Sequence, residues 1–201
     1  MSVFHRTMRC AAAVLLVVGS ALPQAVRGQA RADAPPITRA DVDFVTGMIS
    51  HHAQALVMAG FAPERASHRA VQVLCARIIN GQTDEITNMQ RWLRDRGLPV
   101  PEARPMPTKM MMGDVEHDMM MPGMLTDEQM KELEASTGPQ FDRTFLIFMI
   151  QHHEGAIAMV NDLLGAAGTA RDQTIYRLAA DVFADQTAEI ERMQQLLLTL
   201  P

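Results

Sequence analysis

Two adjacent histidines, His51 and His52, stand between Met48 and Met58, and the arrangement returns with His152 and His153 between Met149 and Met159. Neutral imidazole together with thioether suits Cu(I), and imidazole can also keep Cu(II). Other metals fit these residues less well. Structural zinc sites lean on thiolate, and only two cysteines are present. Calcium and magnesium need converging oxygens, which only Asp41 and Asp142 would offer near these motifs. Di-iron bundles place a Glu three residues before a His, and none of the four histidines is preceded that way.

The recurrence is wider than the histidines. Asp41, Phe44, Met48, His51, His52 and Met58 reappear as Asp142, Phe145, Met149, His152, His153 and Met159, offset by 101 positions. Gln82, Thr83, Glu85, Ile86, Met89, Gln90 and Leu93 reappear as Gln186, Thr187, Glu189, Ile190, Met193, Gln194 and Leu197, offset by 104. The chain reads as a duplicated two-segment unit. At about 100° per residue, the six residues of the first block fall within a helical stripe roughly 120° wide, the face an amphipathic helix buries. On the following segment Cys75, Gln82 and Met89 share the apolar face with Val71, Ile78 and Leu93, and Glu85 lies at its edge. Each half therefore offers Met, His, His, Met and a further Met (Met89 or Met193) to one interior.

Helix signals place these stripes. Thr38 with Asp41 forms a capping box, and Gly60 closes the first helix. Pro63 suits the first turn of a second helix running to about Arg96, ahead of Gly97 and Pro99. Pro139 opens a third helix ending near Gly165, and Thr169 with Asp172 caps a fourth that continues almost to Pro201. The expectation is an all-α, ferritin-like four-helix bundle: residues 38–97 one helix pair, 139–199 the other, and the two forming a single domain. Residues 98–138 are Pro- and Met-rich and read as a long crossover loop, with a short helix from Thr126 to about Ala135.

The N-terminus has basic residues at Arg6 and Arg9, an apolar run from Cys10 to Val18, and small residues after it, which is the pattern of a secretory signal peptide. Residues 1–30 are assigned to it, with cleavage somewhere in 21–30, and the run is too short to span a bilayer. Cleavage leaves Cys75 as the only cysteine, without an intramolecular disulfide. It also removes three Arg and no acid, taking the net charge from −5 to −8. Such a chain is a poor nucleic-acid binder and a reasonable home for cations. No nucleophile set, glycine-rich phosphate loop or basic patch stands out.

Single residues have plainer readings beside the chemical one. Asp41 and Asp142 are either first-turn acids favoured by the helix dipole or acceptors that orient the imidazoles. Glu85 and Glu189 read as surface or inter-helix pairing residues, Phe44 and Phe145 as packing, and Cys75 as a small buried hydrophobe. Met110, Met111, Met112, His117, Met119, Met120 and Met121 lie where no helix face is evident. They read as a segment that captures Cu(I) through exchangeable thioether bonds, with an apolar lid as the alternative.

The run Gly138–Pro139–Gln140–Phe141–Asp142, leading into Met149–Ile150–Gln151–His152–His153–Glu154–Gly155–Ala156, resembles the family known as domain of unknown function 305. Met48–Ile49–Ser50–His51–His52–Ala53–Gln54–Ala55 resembles that family's earlier half, and the likeness extends over about residues 38–199. The resemblance implies a ferritin-like bundle exported in bacteria, with some members binding periplasmic copper. It also points to Met48, His51, His52, Met58, Met149, His152, His153 and Met159 as the motif positions.

The expectation is a periplasmic or secreted copper-binding protein, not an enzyme, that sequesters copper or hands it to another copper-handling protein. A copper- or iron-dependent oxidase on the same bundle is one alternative. An interaction module with a plain His/Met core is the other.

Overall fold

Thr38 starts the first long helix through the anticipated reciprocal cap. Its hydroxyl accepts from the Asp41 N–H at 3.1 Å, while Asp41 Oδ2 accepts from the Thr38 N–H at 2.8 Å. The computed structural model describes residues 36–105, 108–112 and 115–200, with the backbone alone for 108–112 and 115–119. Helix α1 spans Arg39–Gly60, the one-turn α2 spans Ala62–Arg65 and α3 spans Arg69–Asp95. Strands β1 (Thr108–Met112) and β2 (Val115–Met119) follow, then α4 (Asp127–Ala135), α5 (Gly138–Gly165) and α6 (Gln173–Thr199). The leader assigned to residues 1–30 lies outside the described residues.

Three local expectations change. Pro63 opens the separate turn α2 rather than α3, whose N-terminal cap is the His68 side chain, accepting from Ala70 N–H at 3.3 Å. Tertiary bonds hold the intervening chain extended: Ala66 bridges to Gly138, and Asp142 collects the N–H groups of Ser67 and His68. The fourth helix is capped by Asp172 alone, through Thr174 and Ile175 N–H groups. The Thr169 hydroxyl turns back to the carbonyls of Leu163 and Ala166, and Ala170, at φ 50°, redirects the chain between the two. The crossover is not wholly irregular, since β1 and β2 form an antiparallel hairpin with Thr108 opposite Met119 and Met112 opposite Val115. Pro105 and Pro122 stand outside that ladder, where their missing donors interrupt nothing. The short helix after Thr126 forms with its full capping box.

The four long helices are two hairpins, α1 with α3 and α5 with α6, joined through α1 and α5. Helices α1 and α5 run antiparallel, as their shared clusters show: Met48 packs in one core with Met89 and Met159, and Met58 in another with Met149 and Met193. Both central helices are buried on most sides, so their apolar residues crowd more than one face. Helices α3 and α6 cover them from outside and scarcely touch each other. Their far ends are linked where Arg96 donates to Asp172 at 2.6 Å. Among the described residues, no helix is long and apolar enough to cross a membrane.

Candidate metal centre

The two histidine pairs meet where α1 and α5 cross. The rings of His51 and His152 lie 3.8 Å apart between centroids, with His52 6.3 Å from His51 and His153 6.2 Å from His152. All four side chains are fully buried. Helical phase explains the split: adjacent residues point about 100° apart, so one imidazole of each pair faces the opposite central helix and the other faces the covering helix.

Hydrogen bonds place a proton on one nitrogen of three rings. His52 Nε2 bonds Glu85 Oε2 at 2.7 Å, and His153 Nε2 bonds Glu189 Oε2 at the same distance. His51 Nε2 lies 3.0 Å from the Pro122 carbonyl. A carbonyl can only accept, and a carboxylate is an acceptor when ionised, so each of these Nε2 atoms carries a proton. In a neutral ring this leaves the lone pair on Nδ1, and the Nδ1 atoms of His51, His52 and His153 find no protein partner. Neither ring nitrogen of His152 makes a well-formed hydrogen bond, and the nearby His51 backbone is its one polar neighbour that favours protonation. Leaving such a buried group unsatisfied costs about 1–3 kcal/mol.

Three of the rings, His51, His152 and His153, resist protonation. Burial, reinforced by the neighbouring His52, pushes His51 down to about 3. His152 sits well below the ordinary histidine value, first through burial and then through the other three histidines. Burial also lowers His153, against the opposing pull of Glu189. A neutral imidazole with its lone pair available is the form that binds a transition metal. Among the described residues, no three His, Cys, Asp or Glu side chains converge as a ready metal-holding group.

A strap, residues 121–125, closes the site on one side. Besides the bond from His51 to Pro122, Leu125 exchanges two bonds with the Gln54 amide, at 2.7 and 3.0 Å, and Gln151 donates to the Gly123 carbonyl at 3.3 Å. Gly155 lets the strap approach: a Cβ there would stand 1.9 Å from the Pro122 oxygen. Gly123, at φ 76°, takes the left-handed turn that the strap needs.

The eight motif residues, with Met89 and Met193, are all buried. Two expectations need correction. Asp41 and Asp142 do not orient the imidazoles. Asp41 accepts from Thr38 and, at 2.8 Å, from the Ala170 N–H, and Asp142 accepts from Ser67 and His68. Each carboxylate ties the start of one central helix to the turn that follows the other. The orienting role belongs to Glu85 and Glu189, read from sequence as surface or pairing residues. Their recurrence at the 104-residue offset, one turn from Gln82 and Gln186, was the available signal.

Met121 is the second correction. It is not an exchangeable surface thioether but part of the core, with its sulfur against Gly47 beside Met159. Met120 is 45% exposed. The side chains of Met110, Met111, Met112, His117 and Met119 lie outside the described residues. Cys75 is a buried free thiol in the apolar core.

Two helix hairpins clasped around buried imidazoles with unpartnered nitrogens form the class of protein that fold and site define. The chain belongs to the family described as domain of unknown function (DUF305), whose model matches residues 41–197. Among solved structures it is similar to a DUF305 fragment from Deinococcus radiodurans, at 32% identity, with 83% of this chain and 100% of that one covered and a TM-score of 0.68. It is similar to a DUF305 protein from Streptomyces coelicolor at 28% identity, covering 80% and 93%, with a TM-score of 0.65. It is also similar to CopM in its Cu(II)-bound form, at 31% identity, covering 79% and 96%, with a TM-score of 0.61. CopM has further been solved with Cu(I) and with silver. No curated protein matches the chain.

Proposed function

We propose that this chain is an exported copper-binding protein that sequesters copper or passes it to another copper-handling protein, and that it acts without catalysing a reaction. The observation that carries the reading is the set of fully buried imidazole nitrogens with no protein partner, at the crossing of α1 and α5. A cation between His51 and His152, whose ring centroids lie 3.8 Å apart, would satisfy a nitrogen of each. The proposed donors are Nδ1 of His51, His52 and His153, a nitrogen of His152, and the thioethers of Met48, Met58, Met149 and Met159, with Met89 and Met193 as the reserve from the covering helices. Cu(I) is the favoured ion, since it combines imidazole with thioether and needs few donors, and Cu(II) can use the imidazoles. The copper- and silver-bound states of CopM support the same reading. The leader pattern at residues 1–30 supports export to the periplasm or beyond.

The test is copper stoichiometry and affinity for the chain lacking residues 1–30, beside a variant with His51, His52, His152 and His153 all changed to Ala. Tight Cu(I) binding by the parent, lost in a variant that remains helical, is the expected result. Equal binding by both would refute the buried site.

A further inference from the structure

The strap covers one side of the imidazoles, where Pro122 bonds His51. A cleft of about 200 Å³ opens on the other side, where α3 and α6 scarcely touch. It is lined by Gln82 and Glu85 from α3 and by Asp185, Gln186 and Glu189 from α6. Gln82 is 3% exposed and neither end of its amide has a partner, and Gln186 is 1% exposed with its Oε1 unpartnered. Three unpartnered amide atoms facing one cleft are unusual, because buried polar groups are nearly always paired. Oxygen-lined space of this kind suits a hydrated cation.

Glu85 and Glu189 join this cleft to the imidazoles. Each carboxylate spends one oxygen on a buried ring, at 2.7 Å, while its side chain retains 15% and 19% exposure. Oε1 of Glu85 has no partner. Asp185 adds a third acid, held above the ordinary carboxylate value by burial and by the charges of Glu85, Glu189 and Asp181. Arg77 and Arg192 also line the cleft and keep its total charge moderate.

We infer that the cleft between α3 and α6 is a transit site for copper, in which Gln82, Gln186 and Asp185 hold the incoming hydrated ion before it passes Glu85 and Glu189 to the buried imidazoles. The inference rests on the copper-binding reading above. It assigns a role to the glutamines and to Asp185, which lie outside the holding site.

Stopped-flow mixing with aqueous Cu²⁺ tests it, with quenching of Trp92, the single tryptophan, as the signal. The variants are Gln82→Leu with Gln186→Leu, which makes the cleft apolar, and Asp185→Asn. The leucine pair is expected to slow quenching at least tenfold, and Asp185→Asn a few-fold. Both should reach the parental endpoint, with equilibrium affinity within about threefold. Parental rates at a parental endpoint would overturn the transit site and leave the buried site standing. A lost endpoint in the leucine variant alone would also overturn it, by making the amides part of the holding site. If the parent itself shows no saturable binding in equilibrium dialysis, the copper reading fails and the transit site with it.

Discussion

Gly155→Ala isolates the strap from everything else in the bundle. In a helix interior the change alone would stabilise by about 1 kcal/mol, because Ala is the better helix former. Here the new methyl would stand 1.9 Å from the Pro122 oxygen, 2.4 Å from its carbonyl carbon and 2.6 Å from Gly123 Cα. All three are backbone atoms, so no side-chain rotation relieves the clash. A carbon and a carbonyl oxygen settle at about 3.3 Å, so the strap must retreat by roughly 1.4 Å. A displacement of that size takes the bonds from His51, Gln54 and Gln151 out of range or alignment. Four bonds at about 1 kcal/mol each are exposed to loss, and Met121 is drawn partly out of the core. Against the helix gain, the net loss is about 2–4 kcal/mol. Urea unfolding followed by helical circular dichroism measures it, and hydrogen exchange at the Leu125 amide, bonded to Gln54 at 2.7 Å, locates it. A variant within about 0.5 kcal/mol of the parent, with Leu125 equally protected, would refute the reasoning.

Four further outcomes follow from the contacts. Glu85→Gln with Glu189→Gln removes the charge behind two imidazole bonds, and copper affinity should fall about 10–100-fold; an unchanged Kd by chelator competition would exclude the orienting role. Asp142→Ala strips Ser67 and His68 of their acceptor and should destabilise by about 2–4 kcal/mol in urea, with copper affinity of the folded protein unaltered. For Asp172, burial opposes the charged form, but the Arg96 guanidinium and two backbone N–H groups outweigh it, so its folded value is lowered. The stability it contributes is present above the unfolded aspartate value and disappears as pH falls through the lowered one. Arg96→Met should therefore cost about 1 kcal/mol near neutrality and flatten the acid limb of a Tm-against-pH curve. Burial first, and the nearby Asp142 charge second, push the Cys75 thiol up to about 12, so native protein should resist alkylation at mildly alkaline pH and react once unfolded.

The helices and the histidine pairs were legible because both depend on short-range pattern. Thr38 with Asp41 and Thr126 with Gln129 cap where their spacing says, and the Met–His–Met stripe falls on the buried face. What local pattern could not reveal was which carboxylate serves which imidazole. Asp41 and Asp142 lie near the histidines along the chain, but close to the helix starts they stand more than two helical turns away, which is why they bind turns at the bundle ends. Glu85 and Glu189 are remote in sequence, 33 and 36 residues from their histidines, yet packing of a covering helix on a central one brings them within bonding range. The hairpin in the crossover escaped notice because its pairing depends on backbone complementarity, which a Met-rich run does not advertise.

The internal repeat carried more information than motif proximity did. Gln82, Glu85 and Met89 recur as Gln186, Glu189 and Met193, a glutamine, an acid and a methionine at equal spacing on two amphipathic helices. A solvated face has no reason to keep that order twice. In the fold each glutamate reaches a buried imidazole, each methionine enters a different core cluster, and the two glutamines face one cleft. The covering helices therefore do more than bury the central pair: they set the tautomers of His52 and His153 and line the one oxygen-rich approach described to them. Binding measurements that alter only the histidines would leave that half of the arrangement untested, and the glutamate variants close the gap.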